Sequence, residues 1–454
     1  MFDAKIYIER RKHLATEMGD GLIVLAGNKP VPMNYPSNTL RFRQDSNFLY
    51  YCGLDYEDIA LTIDCATGQS TLYGDDLSVS DIVWEGERTS IKKMAEQSGV
   101  DSFKSSSDLQ KNIGARKDVH ILPVYRDDQK FFLQSLLNVS EISSSKSLIA
   151  CVIKQRSIKS DYELSEISSA LEITSQMHSI AMRSTRDGLL EQEIVGLMEG
   201  YALQNGSRMA YPVIFTINGE ILHSNVYDNV MKSGDLALND SGAESPLHYA
   251  SDITRTFPVS GRFTPIQKDI YDLVYEMQQT ALEFCKPKTS YKDAHLAAAK
   301  KAVMGLTELG LMSGDPEEAV SKGAHALFFP HGLGHMLGLD VHDMEGLGED
   351  LVGYDDKNQR SDQFGLAYLR FSKDLEPGFV LTVEPGIYFI SHLIDQWKAD
   401  NKLSEHINYA EVEKFKGFGG IRIEDNIAIS DKGYSVLGPH IPKTTEEIED
   451  IMQS

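Results

Sequence analysis

At 454 residues the chain exceeds what one ordinary hydrophobic core holds together, and its 41% hydrophobic and 24% charged residues exclude a disordered or low-complexity protein. Asp and Glu total 67 against 44 for Lys and Arg, a formal charge of -23 that counts against nucleic acid and anionic membranes as partners. Four cysteines, Cys52, Cys65, Cys151 and Cys285, stand without a CxxC pair, which argues against a disulfide framework or thiolate zinc site and points to a reducing compartment.

The chain opens MFDAKIYIERRKHL, charged throughout where a secretory leader would be apolar, and no run approaches the roughly 18 apolar residues that span a bilayer. A cytoplasmic location is the expectation. Residues 22–26, 59–63, 70–73 and 120–124 are apolar or alternating and bounded by turn formers, so they read as strands among helices, an α/β pattern. The serine cluster at 143–147 reads as a loop. Apolar residues then recur at helical spacing over 161–186 and 191–205, with Gly188 between them, placing a boundary near residue 158 and dividing the chain into domains 1–157 and 158–454. Further helices are expected at 265–285 and 291–309. Strand-like runs around 379–390 and 420–429 make the second domain α+β. Residues 346–372, rich in Gly and Asp, read as an insertion.

Chemistry concentrates in the second domain. In GDLALNDSGAE (234–244) Asp240 shares a period-two face with Leu236 and Leu238, and a carboxylate on an apolar face requires a counter-charge or a proton. Asp252 begins a second alternating run, DITRTF, and a hairpin between the two runs brings both aspartates within reach of a shared ion. HGLGHMLGLDVHD (331–343) packs His331, His335 and His342 among glycines that weaken any helix and suit a binding loop. In LTVEPGIY, Pro385 holds Glu384 on extended backbone. In GGIRIEDNIAI, Arg422 and Glu424 share the face opposite Ile421 and Ile423. Two aspartates, an imidazole and two glutamates form an oxygen-rich set suited to divalent Mn, Co or Fe rather than to a tetrahedral structural zinc, and two such cations would neutralise four carboxylates.

These motifs, DSGAE with SDITRTFPVSGRF, PHGLGHMLGLDVHD, VLTVEPGIYF and GFGGIRIEDN, resemble in order and spacing the pita-bread metallopeptidases of the aminopeptidase P and prolidase branch. RFRQDSNFLYYCGL (41–54) and WEGER (84–88) resemble the N-terminal domain of that branch. The resemblance implies an α/β N-terminal domain before an α+β pita-bread catalytic domain of the creatinase and aminopeptidase kind. It implies two divalent metals, Mn(II) first with Co(II), Fe(II) or Zn(II) as alternatives, held by Asp240, Asp252, His335, Glu384 and Glu424, with Asp252 and Glu424 bridging. The implied activity is hydrolysis between an N-terminal residue and proline.

Substrates would be Xaa-Pro dipeptides or peptides with proline second, dipeptides slightly favoured because Arg370 resembles a prolidase arginine that binds the free carboxylate. Glu384 would move protons, His331, His342 and His223 would hold substrate and the developing oxyanion, and Arg422 would steady its neighbour Glu424. His223 is followed by Ser224 where the family commonly has Tyr. Relatives of this branch are usually dimers or tetramers. Some pita-bread proteins are non-catalytic binding modules that have lost these ligands; all five positions are filled here.

Overall fold

The computed structural model describes residues 1–113 and 116–454. They form two compact units, Met1–Arg156 with Gly346–Gly348, and Ser157–Glu345 with Glu349–Ser454.

The first unit is built on one sheet of β1 (Leu22–Ala26), β2 (Ala60–Asp64), β3 (Ser70–Tyr73), β4 (Ser102–Lys104) and β5 (Val119–His120). Their order is β4-β3-β2-β1-β5, with β1–β2 and β2–β3 antiparallel and β1–β5 and β3–β4 parallel. The strand expected over 120–124 therefore stops at His120: the Ile121 carbonyl accepts from the Ser145 amide instead of extending the ladder. The serine cluster is loop only to Ser145, whose successor Lys146 starts a helix running to Ser157. β4 escapes sequence reading because three exposed residues carry no alternation.

In the second unit, helix Pro265–Phe284 starts with Thr264 and Gln267 in a reciprocal cap and Pro265 in its first turn. It buries Ile270, Leu273, Val274, Met277 and Ala281 at helical spacing, and pairs with helix Tyr291–Glu308. Helices Asp161–Ser184 and Glu191–Gln204 form a second pair. In the chain, between the two helix pairs, come β6 (Ile214–Thr216), β7 (Leu236–Ser241) and β8 (Ile253–Pro258), an antiparallel sheet in that order. After them come β9 (Val380–Val383), β10 (Gly386–Tyr388), β11 (Gly420–Arg422), β12 (Asp425–Ser430) and β13 (Gly433–Val436).

Both long strand-like runs are broken, and at matching places. Pro385 cannot donate to a ladder, so 379–390 splits into β9 and β10, while 420–429 splits into β11 and β12. β9 pairs with β12 through Val383 and Asp425, and β10 pairs with β11 through Gly386 and Arg422. The breaks at Glu384–Pro385 and Ile423–Glu424 consequently face each other. Buried Gln278, from helix Pro265–Phe284, fills the gap by donating to the Val383 and Ile423 carbonyls at 3.1 and 3.4 Å. Each glutamate thus leaves the ladder at a point where its side chain is free to turn aside.

Among the described residues no helix is long and apolar enough to cross a membrane. Two other buried groups set an acid limit on stability. His295 and His325 are fully buried, and none of their four ring nitrogens has a hydrogen-bond partner. Burial lowers both, His325 to about 4 and His295 well below its ordinary value. A histidine held neutral in the folded state binds its proton preferentially when unfolded, so stability falls as pH drops from about 6.5 toward 4 and levels off below the folded value. We expect His325 alone to contribute on the order of 3 kcal/mol to that loss. Denaturant midpoints at pH 7, 5.5 and 4.5 check it: His325→Leu should flatten the pH dependence, and an unchanged slope would show that the imidazole is not neutral when folded.

Candidate metal centre

The β7–β8 hairpin sets Asp240 opposite Thr254 and leaves Asp252 one residue before β8. Every residue of β7 is buried on either face, so Asp240 sits in a dry wall. The turn into Asp252 is closed by Gly242, where a Cβ would lie 1.8 Å from the Ser251 carbonyl oxygen, an approach that only glycine permits. Asp252 is then clamped through its own backbone: its N–H donates to Asn426 Oδ1 at 3.0 Å, and Asn426 Nδ2 donates to its carbonyl at 2.6 Å.

Residues 331–343 contain no helix, so His331 and His335 share no helical face. The segment runs along β9: Thr382 N donates to the His335 carbonyl, and Glu384 N to that of Leu333. Gly334 allows this approach, because a Cβ there would meet the Thr382 carbonyl oxygen at 2.2 Å. His335 donates from Nδ1 to the Met336 carbonyl at 3.0 Å, which leaves the Nε2 lone pair facing Asp252 Oδ2 at 3.3 Å and Glu384 Oε1 at 3.5 Å. A buried lone pair against two carboxylates is repulsive unless a cation lies between them.

Other groups repeat that demand. Asp252, His335 and Glu424 bring ligand atoms within 4.8 Å of one another, and Asp240 and Glu384 line the same cavity of about 790 Å³. Glu424 Oε2 accepts from Thr254 Oγ1 at 2.6 Å, but its buried Oε1 has no partner. The Tyr211 hydroxyl lies 2.6 Å from Asp240 Oδ1 and also contacts Asp252 Oδ1, although a phenol has one proton to give. Burial first, then mutual repulsion, pushes Asp252, Glu384 and Glu424 well above the usual carboxylate range. An orphan oxygen, an unprotonated imidazole nitrogen and crowded acids fit a site for divalent cations.

The remaining expected residues fall around this cluster with different partners. Arg422 does not pair with Glu424. Its Nη2 donates to Asp240 Oδ2 and its Nη1 to the Tyr388 hydroxyl at 2.8 Å, and it reaches Glu424 only through Thr254, whose hydroxyl accepts from Nε at 3.2 Å. The Tyr388 hydroxyl, accepting from Arg422, donates to His331 Nε2 at 2.8 Å, while His331 Nδ1 donates to the Gly332 carbonyl at 2.8 Å. Burial and Arg422 together hold His331 neutral, down to about 3. His342 stacks edge-on to His335 with ring centroids 4.2 Å apart. His223 stands exposed in a loop that lines the cavity; half-buried Arg370 lines it too, and its Nη1 donates to Glu345 Oε2 at 2.6 Å.

Sequence reasoning missed Tyr211, Thr254, Tyr388, Asn426 and Glu345. Thr254 is detectable, since it shares a period-two face with Asp252; Tyr211 and Glu345 carry no periodicity and are found only by their contacts.

Residues 165–431 match metallopeptidase family M24, and residues 7–121 match the aminopeptidase P N-terminal domain. The chain is 33% identical to Xaa-Pro dipeptidase of Rattus norvegicus, over 97% of this chain and 90% of the relative. It is 32% identical to a probable Xaa-Pro aminopeptidase PEPP of Paracoccidioides brasiliensis, over 99% and 96%. Among solved structures, a substrate complex of an Escherichia coli aminopeptidase P variant superposes with a TM-score of 0.83 at 30% identity, covering 100% of this chain and 98% of the other.

Proposed function

Because this chain belongs to metallopeptidase family M24 and carries an aminopeptidase P N-terminal domain, we propose that its cavity hydrolyses the bond between an N-terminal residue and a following proline. The observation that carries this reading is the gathering of Asp240, Asp252, His335, Glu384 and Glu424 around one cavity, with an orphan carboxylate oxygen and an unprotonated imidazole nitrogen turned into it. These five residues would hold two divalent cations, Mn(II) in our reading. When bound, such ions supply Lewis acidity, acidifying water and polarising the scissile carbonyl.

The protein's own groups do the rest. Glu384 takes a proton from the attacking water and returns it to the proline nitrogen, a role open to a carboxylate that lines the cavity beside His335. His331, neutral with its Nε2 receiving the Tyr388 proton, has no N–H to offer an oxyanion from that nitrogen. Oxyanion stabilisation therefore falls to His223 at the cavity wall, while His342, whose Nδ1 faces Glu345 at 3.3 Å, holds substrate and His331 positions Tyr388. Leu222, Ile390, Leu393, Phe364 and Tyr368 add an apolar lining suited to a proline ring. An Xaa-Pro bond lacks an N–H, so a shaped pocket selects it where strand-like recognition fails.

Chelation should abolish Gly-Pro hydrolysis and Mn(II) should restore it, whereas Glu384→Ala should lose on the order of 10³-fold in kcat that no added metal recovers. Unimpaired turnover by the stripped chain or by the variant would refute the assignment. Homodimer or tetramer assembly and a cytoplasmic location complete the proposal, tested by light scattering and by fractionation.

A further inference from the structure

Arg370 lines the cavity with its side chain one-third exposed. Its charge is already engaged. Nη1 donates to Glu345 Oε2 at 2.6 Å and approaches Glu349 Oε2 at 3.5 Å, and Glu349 in turn pairs with Arg360, which also binds Asp350 at 2.6 Å. Two guanidinium groups thus face three carboxylates, leaving the cluster with one net negative charge. Glu345 also lies 3.3 Å from His342 Nδ1, so one carboxylate binds the two cavity-wall groups best able to receive an anion. Among the described residues, Nε and Nη2 of Arg370 make no hydrogen bond, so the guanidinium keeps donors for a neutral carbonyl.

We propose, resting on the reading of the cavity as an Xaa-Pro peptidase site, that Glu345 is a specificity-determining residue that disfavours a free carboxylate on proline and directs the enzyme toward peptides of three or more residues. A dipeptide presents an anion where the cluster is already net negative, and it must displace or share the Glu345 partner; a longer peptide presents an amide carbonyl there, which accepts from Arg370 without repulsion. This reverses the slight preference for dipeptides that Arg370 by itself suggests.

The test compares kcat/KM for Gly-Pro, Gly-Pro amide and Gly-Pro-Ala in the metal-loaded wild type, Glu345→Gln and Glu349→Gln. Wild type should favour the amide and the tripeptide. Glu345→Gln should raise Gly-Pro relative to the amide by about tenfold or more, mainly through KM, and Glu349→Gln should shift it the same way by less. The second variant carries the test if the first fails to fold. Calorimetric binding of L-proline and L-prolinamide gives a readout independent of turnover: Glu345→Gln should tighten the acid relative to the amide. If no peptide is cleaved, the peptidase reading falls and the binding ratio still decides this inference. An unchanged acid-to-amide ratio in both measurements, or a wild type that prefers the dipeptide, overturns it.

Discussion

Replacing Asp252 by asparagine should cost on the order of 10³-fold in activity while making the metal-free protein more stable. The two effects have one origin. Asp252 is almost fully buried, shares the Tyr211 hydroxyl with Asp240, faces the His335 lone pair and brings a ligand oxygen within 4.8 Å of one from Glu424. Without cations its charge is a liability, which is why burial and Asp240 push its proton affinity so high. Asparagine keeps an oxygen for Tyr211 and leaves the Asn426 clamp on the backbone untouched, so the fold loses little and the repulsion disappears. Wild type should gain roughly 2.7 kcal/mol from metal at a hundredfold excess over Kd, and the variant much less. Thermal melts with and without Mn(II) check both. A variant that melts lower than wild type in chelator would mean that Asp252 is a structural group.

The second large effect is on stability. Arg255 is among the largest fully buried side chains of the described residues, and its guanidinium donates to Asp425 Oδ1 at 2.7 Å and to the carbonyls of Thr254, Glu424, Ile441 and Pro442. Lys443 holds the other Asp425 oxygen at 2.7 Å. Removing one member of a buried pair strands its partner, so Arg255→Met should lose about 3–5 kcal/mol, with Lys443 holding the loss toward the lower end. The bond to the Glu424 carbonyl adds a functional consequence: protein that still folds should bind metal about 10–100-fold more weakly. Urea unfolding and metal titration measure the two losses, and a change under 1 kcal/mol would show that the network contributes little.

How much of this was legible beforehand depends on whether the signal is local. Period-two alternation locates Asp240 and Asp252 on adjacent strands, and the Pro after Glu384 marks a break in the ladder. The same alternation puts Arg422 and Glu424 on one face, but side-chain partners depend on which sheets meet in space, and Arg422, opposite Gly386 in its own ladder, reaches Asp240 of β7. The glycines of 331–343 predict close backbone approach, and Gly334 against Thr382 supplies it. That Gln278 bridges the facing breaks, or that Glu345 occupies Arg370, has no counterpart in periodicity: both depend on groups more than twenty residues apart meeting in space.

The central claim is that five side chains share a pair of cations, and anomalous scattering from crystals grown with manganese tests it most directly. Two peaks per chain are expected, ringed by Asp240, Asp252, His335, Glu384 and Glu424. A map with no peak among these residues, or with manganese bound only elsewhere, would contradict it.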